Sequence, residues 1–138
     1  MSLRLNNARI LITGAGGYLG RQLVARLASR PDGQRPAMIL AHDLRLPDTP
    51  FGGVEYLACD IRSPDVAQAI AQHGITVVVH LAAIMPSGKA HTRDFEHDVD
   101  VNGPRLLLEA CLRHGGQRII VASSGAAYRY HADNPPWW

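Results

Sequence analysis

The sequence predicts an α/β fold with an open, doubly wound parallel sheet. Short apolar runs typical of buried strands alternate with amphipathic helical patterns along the whole chain. The run at residues 75–81 is too apolar for a half-exposed strand, which favours a central parallel strand. The 138 residues have the length of a single domain. We expect right-handed crossovers and the strand order 3-2-1-4-5 of the doubly wound class.

The first part of the chain predicts two strands joined by a helix. Residues 9–13 form a β-rich run that ends in glycines. A helix is predicted over residues 18–29, because apolar side chains recur there at helical spacing and Pro31 follows. Residues 37–41 are the second strand, and the prolines and glycines of residues 46–53 indicate a loop.

The middle of the chain predicts two further strands with a helix between them. Residues 54–59 are the third strand. Ser63 and Pro64 supply a capping side chain and a first-position proline for a helix that runs to about residue 72. Residues 75–81 are rich in β-branched side chains, which is typical of a central parallel strand.

The last part predicts a long helix and a fifth strand. The helix occupies much of residues 92–113, and the Gly-Pro pair at residues 103–104 is expected to kink or divide it, since proline lacks an amide donor. A glycine pair at residues 115–116 ends the helix. Residues 117–122 are the fifth strand.

Composition and charge exclude several classes of protein. The 14 basic and 12 acidic residues give a formal charge of +2 without a basic run, so we expect neither nucleic-acid nor anionic-membrane binding. The longest apolar stretch, residues 77–85, is too short to span a membrane and is interrupted by His80. Cys59 and Cys111 lack metal-ligand spacing, which favours reduced thiols in a cytoplasmic protein without a metal site.

A glycine-rich loop joins the first strand to the first helix and reads Thr-Gly-Ala-Gly-Gly-Tyr-Leu-Gly over residues 13–20. Gly14 permits a tight turn, Gly17 lets the backbone approach a pyrophosphate, and Gly20 lets the helix pack close to the strand. Amides at the helix start would face the phosphates with the positive end of the helix dipole behind them. The loop predicts dinucleotide binding. A purely structural turn, or a different ligand on the same fold, is the alternative.

An acidic residue follows the second strand at the place where an adenosine ribose would bind. Asp43 lies 23 residues beyond Gly20 and can accept hydrogen bonds from the ribose hydroxyls. A carboxylate repels the additional phosphate of NADP, so the cofactor expected is NAD. Arg45 could act in the opposite direction, although it also fits a solvated loop charge.

Five motifs resemble those of the extended short-chain dehydrogenase/reductase family, which includes the NAD-dependent epimerases and dehydratases. They occur in the family's order and cover nearly the whole chain. They are the glycine loop at residues 13–20, Cys-Asp-Ile-Arg at 59–62, His-Leu-Ala-Ala at 80–83, Leu-Leu-Glu-Ala-Cys at 107–111, and Ala-Ser-Ser-Gly-Ala-Ala-Tyr at 122–128.

The resemblance implies a Rossmann-like domain and an oxidoreductase that acts by transient hydride transfer, most often on a nucleotide sugar. It assigns Asp60 to the adenine amino group and makes Ser124 the catalytic serine, which hydrogen-bonds the substrate hydroxyl. The residues that we expect to bind the cofactor are Gly14, Gly16, Gly17, Tyr18, Leu19, Gly20, Asp43, Asp60, Ile61, Leu81, Ala82 and Ala83.

Each of these motifs also has a structural interpretation. Asp60 could simply begin the turn before Pro64, and Ser123 and Ser124 could be ordinary polar residues at a strand end. His80 follows three valines and is more typical of a satisfied core histidine than of an acid or base, so we give it no proton-transfer role.

Two departures from the family pattern concern the chemistry. Asp100 and Pro104 stand where the family has Asn and Thr, which affects the polar network that this helix normally supports. Family chemistry also needs Tyr-x-x-x-Lys, in which the lysine lowers the tyrosine pKa. Lys89 is the only lysine, and no tyrosine lies four residues before it. The tyrosines are Tyr18, Tyr56, Tyr128 and Tyr130.

We therefore expect residues 1–138 to be the cofactor-binding part of a longer enzyme, with the sheet incomplete on its C-terminal side and no turnover by this chain alone. The alternatives are a non-catalytic dinucleotide-binding or sensor module and a non-functional remnant. The open edge beside the fifth strand, or the Trp pair at residues 137–138, is expected to support a homodimer. Residues 85–89 are the stretch placed to contact a small-molecule substrate, and a mobile loop without that role is the alternative.

Overall fold

The computed structural model describes residues 4–84, 92–124 and 133, which include a five-stranded parallel sheet. Its strand order is β3-β2-β1-β4-β5, so the predicted doubly wound order is confirmed. Thr13 of the central strand lies in register with His42 on one side and with His80 on the other. The strands are β1 (Arg9–Thr13), β2 (Met38–Asp43), β3 (Glu55–Ala58), β4 (Val77–His80) and β5 (Arg118–Val121).

Helices connect the strands as the sequence predicts. Ser63 caps α2 because its hydroxyl accepts a hydrogen bond from the Asp65 amide, at 3.2 Å, and Pro64 occupies the first turn. The helix that ends at His114 is followed by Gly115 with φ of +80°, a left-handed residue whose amide donates to the Cys111 carbonyl. The helices are α1 (Tyr18–Ala28), α2 (Pro64–Gln72), α3 (Arg93–His97) and α4 (Gly103–His114), with a short 3-10 turn at Leu5–Asn7.

The long helix predicted within residues 92–113 changes its hydrogen-bond pattern just before the Gly-Pro pair, at Asp98–Asn102, where the sequence predicted a kink or division at residues 103–104. The segment between α3 and α4, Asp98–Asn102, is a π-helical turn in which the Gly103 amide bonds to the Asp98 carbonyl, five residues back. We call this segment the π turn. Pro104 lies in the first turn of α4, where its missing amide costs least. The backbone stays helical at Asn102, so the turn widens the helix without ending it.

The hydrophobic core has two layers, one on each face of the sheet. Leu11 of β1 packs against α2 and α4, while its neighbours Ile10 and Ile12 point to the opposite face, where Val24 of α1 covers them. The three β1 side chains are at most 4% exposed. Burying each such side chain contributes about 1.5–3 kcal/mol, which explains why the parallel strands are apolar on both faces. We call the two sides the α2–α4 face and the α1 face.

Strand β5 lies at one edge of the sheet and, within the described residues, pairs with β4 alone. Its side chains Ile120 and Val121 are about half exposed, at 49% and 52%. The homodimer expected through this edge stays a prediction, which sedimentation at high micromolar concentration tests. Three other predictions concern residues outside the described part of the chain. They are the substrate stretch at residues 85–89, the motif residue Tyr128, and the dimer contact through the Trp pair at residues 137–138.

Across the described ranges, no helix has the length and apolar character needed to cross a bilayer. The same part of the chain contains no group of three or more His, Cys, Asp or Glu side chains arranged to hold a metal ion. Both cysteines are free thiols, and burial raises the pKa of Cys59 and of Cys111.

Candidate functional site

The glycine loop lies at the carboxyl end of β1, against the residues that follow β4. Gly14 has φ of +69°, and a Cβ on it would lie 2.6 Å from the Ala82 amide nitrogen. Gly20, in the first turn of α1, has even less space for a side chain. A Cβ there would lie 2.2 Å from the Gly14 carbonyl oxygen. Two tight backbone contacts therefore require glycine at these positions and fix where α1 begins.

The start of α1 is open at this edge of the sheet. Gly17 provides no capping side chain, and Tyr18 and Leu19 are 80% and 61% exposed. The unbonded amides of a helix N-terminus carry a partial positive charge and bind anions readily. Arg21 adds a cation, and its Nε donates to the Gly16 carbonyl at 2.7 Å. The loop and helix start can accommodate a pyrophosphate.

Asp43 at the end of β2 is fixed above the glycine loop. Its Oδ2 accepts the Gly16 amide at 2.8 Å, and its Oδ1 accepts the Leu44 amide at 2.7 Å. A carboxylate has about four acceptor positions. With these two used by the described residues, each oxygen retains one, which matches the two hydroxyls of a ribose diol. The carboxylate is therefore held in place before any ligand arrives.

A buried polar pair connects β1 to the segment after β4. The Thr13 hydroxyl oxygen accepts the Leu81 and Ala82 amides at 3.3 and 3.4 Å and lies 2.7 Å from His80 Nδ1. Because the amides occupy its acceptor positions, the hydroxyl donates its proton to Nδ1, and His80 carries its own proton on Nε2. Burial lowers the pKa of His80, which agrees with a neutral ring. The interpretation of His80 as a satisfied core histidine is confirmed.

Removing the Thr13 hydroxyl is expected to destabilise the protein. In Thr13→Val, His80 Nδ1 and the Ala82 amide lose the hydroxyl as a partner, while the Leu81 amide keeps its bond to the main-chain oxygen of residue 13 at 3.1 Å. Because Thr13 is 0% exposed, we expect the free energy of unfolding to fall by about 2 kcal/mol. Thr13→Ser keeps the hydroxyl and should retain most of the stability. Urea denaturation measures both variants, and a valine variant as stable as the wild type would contradict this assignment.

His42 on β2 lies on the α2–α4 face with Thr13 and His80, but its hydrogen bonding differs from that of His80. The ring is 2% exposed, and neither nitrogen has a hydrogen-bond partner among the residues that the structure describes. The main chain of Cys59 lies near enough to favour the protonated ring without reaching hydrogen-bond geometry, and Asp43 and Asp60 act in the same direction. Burial outweighs these three influences, so the pKa of His42 is lowered.

Asp60, which follows β3, forms a network with Arg62. Asp60 Oδ1 accepts both the Arg62 amide, at 2.9 Å, and Arg62 Nε, at 2.8 Å, while Oδ2 accepts Nη2 at 2.7 Å. Arg62 Nη1 donates in turn to Asp98 Oδ2 of the π turn at 2.6 Å. The hydrogen bonds from Arg62 lower the pKa of Asp60 to about 2. The carboxylate is therefore ionised at any physiological pH.

The π turn connects the loops that follow β3 and β4. Asp98 contacts Arg62 in the first loop, and Asp100 Oδ1 accepts the Ile84 amide of the second at 3.0 Å. Gly103 follows the turn, and a Cβ there would lie 2.9 Å from Ile61 Cγ2, so the helix packs tightly on the first loop. Asp100, which stands where the family has Asn, thus accepts a hydrogen bond from the main chain after β4.

The predicted site residues fall at one edge of the sheet, the carboxyl ends of the strands. The glycine loop contacts Asp43 through Gly16 and Ala82 through Gly14, whereas Asp60 belongs to a separate cluster with Arg62 and the π turn. Ser124 follows β5 at the same edge and is exposed. Sequence reasoning missed the roles of His42, Asp98 and Asp100. No local pattern signals them, because each depends on a partner in another element.

The sheet order and the glycine loop at its switch point define a Rossmann-type dinucleotide-binding fold. The family model "NAD dependent epimerase/dehydratase family" matches residues 10–136. The chain belongs to this NAD-dependent epimerase/dehydratase family.

Three relatives illustrate the similarity. A ceramide reductase of Caulobacter vibrioides is 37% identical over 121 residues, which are 86% of this chain and 35% of that protein. A mutant uronate dehydrogenase from Agrobacterium tumefaciens, solved in complex with NAD, is 30% identical with a TM-score of 0.68 and covers 85% of this chain and 41% of its own. An epimerase from Methanothermobacter thermautotrophicus shares the fold, with a TM-score of 0.81 at 21% identity, over 98% of this chain and 40% of its own. The chain thus spans well under half the length of these relatives.

Proposed function

We propose that this chain binds NAD and forms the cofactor-binding part of an oxidoreductase of the epimerase/dehydratase type. The observation that carries the proposal is the fixed carboxylate of Asp43, bonded to the Gly16 and Leu44 amides with one acceptor position left on each oxygen. The two acceptor positions that the described residues leave on this carboxylate match the two hydroxyls of a ribose diol. The NAD complex of the uronate dehydrogenase, which is 30% identical, supports the same cofactor.

We propose that the site residues contact successive parts of the dinucleotide. Gly14, Gly16, Gly17 and Gly20 would hold the pyrophosphate together with the amides of Tyr18 and Leu19 at the start of α1, and Asp43 would hold the adenosine ribose. Asp60 and Ile61 would contact the adenine, while Leu81, Ala82 and Ala83 would line the cofactor beyond the glycine loop. NAD, when bound, supplies a hydride acceptor.

NAD is expected to bind more tightly than NADP because Asp43 carries a charge where the additional phosphate would lie. We expect Asp43→Asn to weaken NAD binding about tenfold, since a hydrogen bond to a charged group is lost, and to reduce the preference for NAD over NADP. Titration calorimetry with both cofactors measures this. The matched control is Asp48→Asn, an exposed loop acid that should leave both affinities unchanged. Equal binding of both cofactors by the wild type would contradict the assignment.

We further propose that Ser124 hydrogen-bonds a substrate hydroxyl in a catalytic reaction, and that the substrate is a nucleotide sugar or a related hydroxyl compound. The exposure of Ser124 at the cofactor edge of the sheet supports this role. The catalytic Tyr-x-x-x-Lys is not found in residues 1–138, so we expect no steady NADH formation from this chain alone. Steady turnover with a candidate sugar would contradict that expectation.

The second candidate is a non-catalytic dinucleotide-binding or sensor module. The observation that favours it is Asp100, which stands where the family has Asn and bonds to the Ile84 main chain. Both candidates require NAD binding, so a rise in melting temperature with NAD supports either of them. Restoration of turnover when the chain is joined to a family segment with Tyr-x-x-x-Lys distinguishes the enzyme from the sensor.

We also propose a cytoplasmic location, which the free thiols Cys59 and Cys111 support.

A further inference from the structure

We propose that Arg62 is a positioning residue that makes the site specific for adenine: it holds the Asp60 carboxylate so that a single acceptor position remains for the amino group of the base. The inference rests on the proposed NAD-binding function, because it concerns the adenine end of the same site. Arg62 itself contacts no ligand in this proposal. It acts through Asp60.

The hydrogen bonds of the Asp60 carboxylate show which position remains. Oδ1 accepts two donors from Arg62, the amide and Nε, which fill its acceptor positions. Oδ2 accepts one, from Nη2 at 2.7 Å, and so retains one among the contacts of the described residues. The Asp60 side chain is 39% exposed, so this position is accessible to a ligand. The carboxylate plane is fixed because the guanidinium donates a hydrogen bond to each of its two oxygens.

Arg62 is held by the π turn as well as by Asp60. Its Nη1 donates to Asp98 Oδ2 at 2.6 Å, and Asp98 Oδ1 accepts the Asn102 side-chain amide at 2.9 Å. The guanidinium carbon also lies 5.0 Å from the centre of the Phe95 ring. Anchors on two sides leave Arg62, which is 29% exposed, with little rotational freedom. The orientation of Asp60 is thereby set by a helix that comes much later in the chain.

A fixed, ionised carboxylate that faces the C6 substituent distinguishes adenine from hypoxanthine. Adenine carries an amino group at C6, which donates a hydrogen bond, whereas hypoxanthine carries an oxygen there, which only accepts. A carboxylate oxygen attracts the first group and repels the second. A carboxylate without Arg62 would rotate and bind water, so it would distinguish the two bases less well.

The test compares the affinities of the full chain for NAD and for the NAD analogue in which hypoxanthine replaces adenine. We expect the wild type to favour NAD about tenfold. In Arg62→Gln we expect this ratio to fall to about threefold or less, with NAD itself bound more weakly. The ratio is informative because a variant that only loosens the fold weakens both ligands equally. Arg105→Gln is the matched control, since Arg105 pairs with Glu109 on α4, and it should leave the ratio unchanged.

A second variant guards against misfolding of Arg62→Gln. Asp98→Asn leaves every Asp60 contact in place but weakens the anchor of Arg62, and we expect a ratio between those of the wild type and Arg62→Gln. If Arg62→Gln keeps the wild-type affinity ratio, the proposal is overturned. If Arg62→Gln does not fold, the same ratio in Asp98→Asn overturns it. So does a wild type that binds both dinucleotides equally. The wild type is measured before any variant. If it binds neither dinucleotide, the result contradicts the proposed NAD-binding function itself.

Discussion

Replacing Gly20 with alanine is expected to abolish detectable NAD binding and to lower the free energy of unfolding by about 3 kcal/mol. The added Cβ would lie 2.2 Å from the Gly14 carbonyl oxygen and 2.6 Å from the Ala15 Cα. Both are backbone atoms, so no side chain can rotate to relieve the contact. Alanine favours a helix over glycine by about 1 kcal/mol, but this gain is smaller than the expected cost of overpacking. The helix start must therefore move away from the loop.

Urea denaturation and calorimetric titration with NAD measure the two effects of Gly20→Ala. Gly52→Ala is the matched control, because a Cβ on Gly52 would have no atom within 4 Å. The control should keep the stability and affinity of the wild type. If Gly20→Ala also kept both, α1 could not be packed against the glycine loop as the structure has it.

The second large effect concerns pH and the two buried imidazoles on the α2–α4 face. Burial lowers the pKa of His42 and of His80 below the ordinary value of 6.5. The charge of His42 lowers the pKa of His80 further, while Asp100 raises it; at His42, the Cys59 main chain, Asp43 and Asp60 raise the pKa without overcoming burial. Below pH 6.5 the unfolded chain therefore binds more protons than the folded one. Stability is fully present above that pH and falls by up to about 1.4 kcal/mol per pH unit for each ring, until the pH reaches the lowered pKa of the folded state.

Replacing His42 with leucine should increase stability and reduce this acid sensitivity. The variant removes two ring nitrogens that have no hydrogen-bond partner within the described ranges, in a site that is 2% exposed, and we expect a gain of about 1–3 kcal/mol at pH 7. Denaturant unfolding between pH 5 and 8, a range that brackets the ordinary histidine pKa, measures both effects. His114→Leu, at an exposed position, is the control and should keep the wild-type pH dependence. A leucine variant with unchanged acid sensitivity would show that His42 is not the titrating group.

The sequence predicted the fold well because its signals are local. Hydrophobic runs located all five strands, and Ser63 with Pro64 located the start of α2. The fourth strand was predicted over residues 75–81 but spans Val77–His80. Ile75 is apolar because it packs into the core at 1% exposure, not because it belongs to the strand, and periodicity cannot separate these two causes.

The candidate site was only partly predictable. The glycine loop and Asp43 follow a fixed spacing, so their proximity could be expected, and Gly16 does donate to Asp43. The bond from Arg62 to Asp98 joins residues 36 apart, and the pair Thr13 and His80 lies 67 apart. Such contacts depend on how separate helices and strands are placed in three dimensions. The π turn was not predicted because proline and glycine indicate an interruption without specifying its hydrogen bonds.

The strand order has a consequence for the growing polypeptide. β1 is synthesised first yet occupies the centre of the sheet, and its partner β4 is completed only at His80. While the ribosome adds the intervening residues, β1 can pair with β2 alone, and its other side presents unsatisfied amide and carbonyl groups together with apolar side chains. Pairing over such a separation also slows closure of the sheet. A nascent chain that contains β3 but lacks β4 therefore leaves one side of its central strand without a pairing partner.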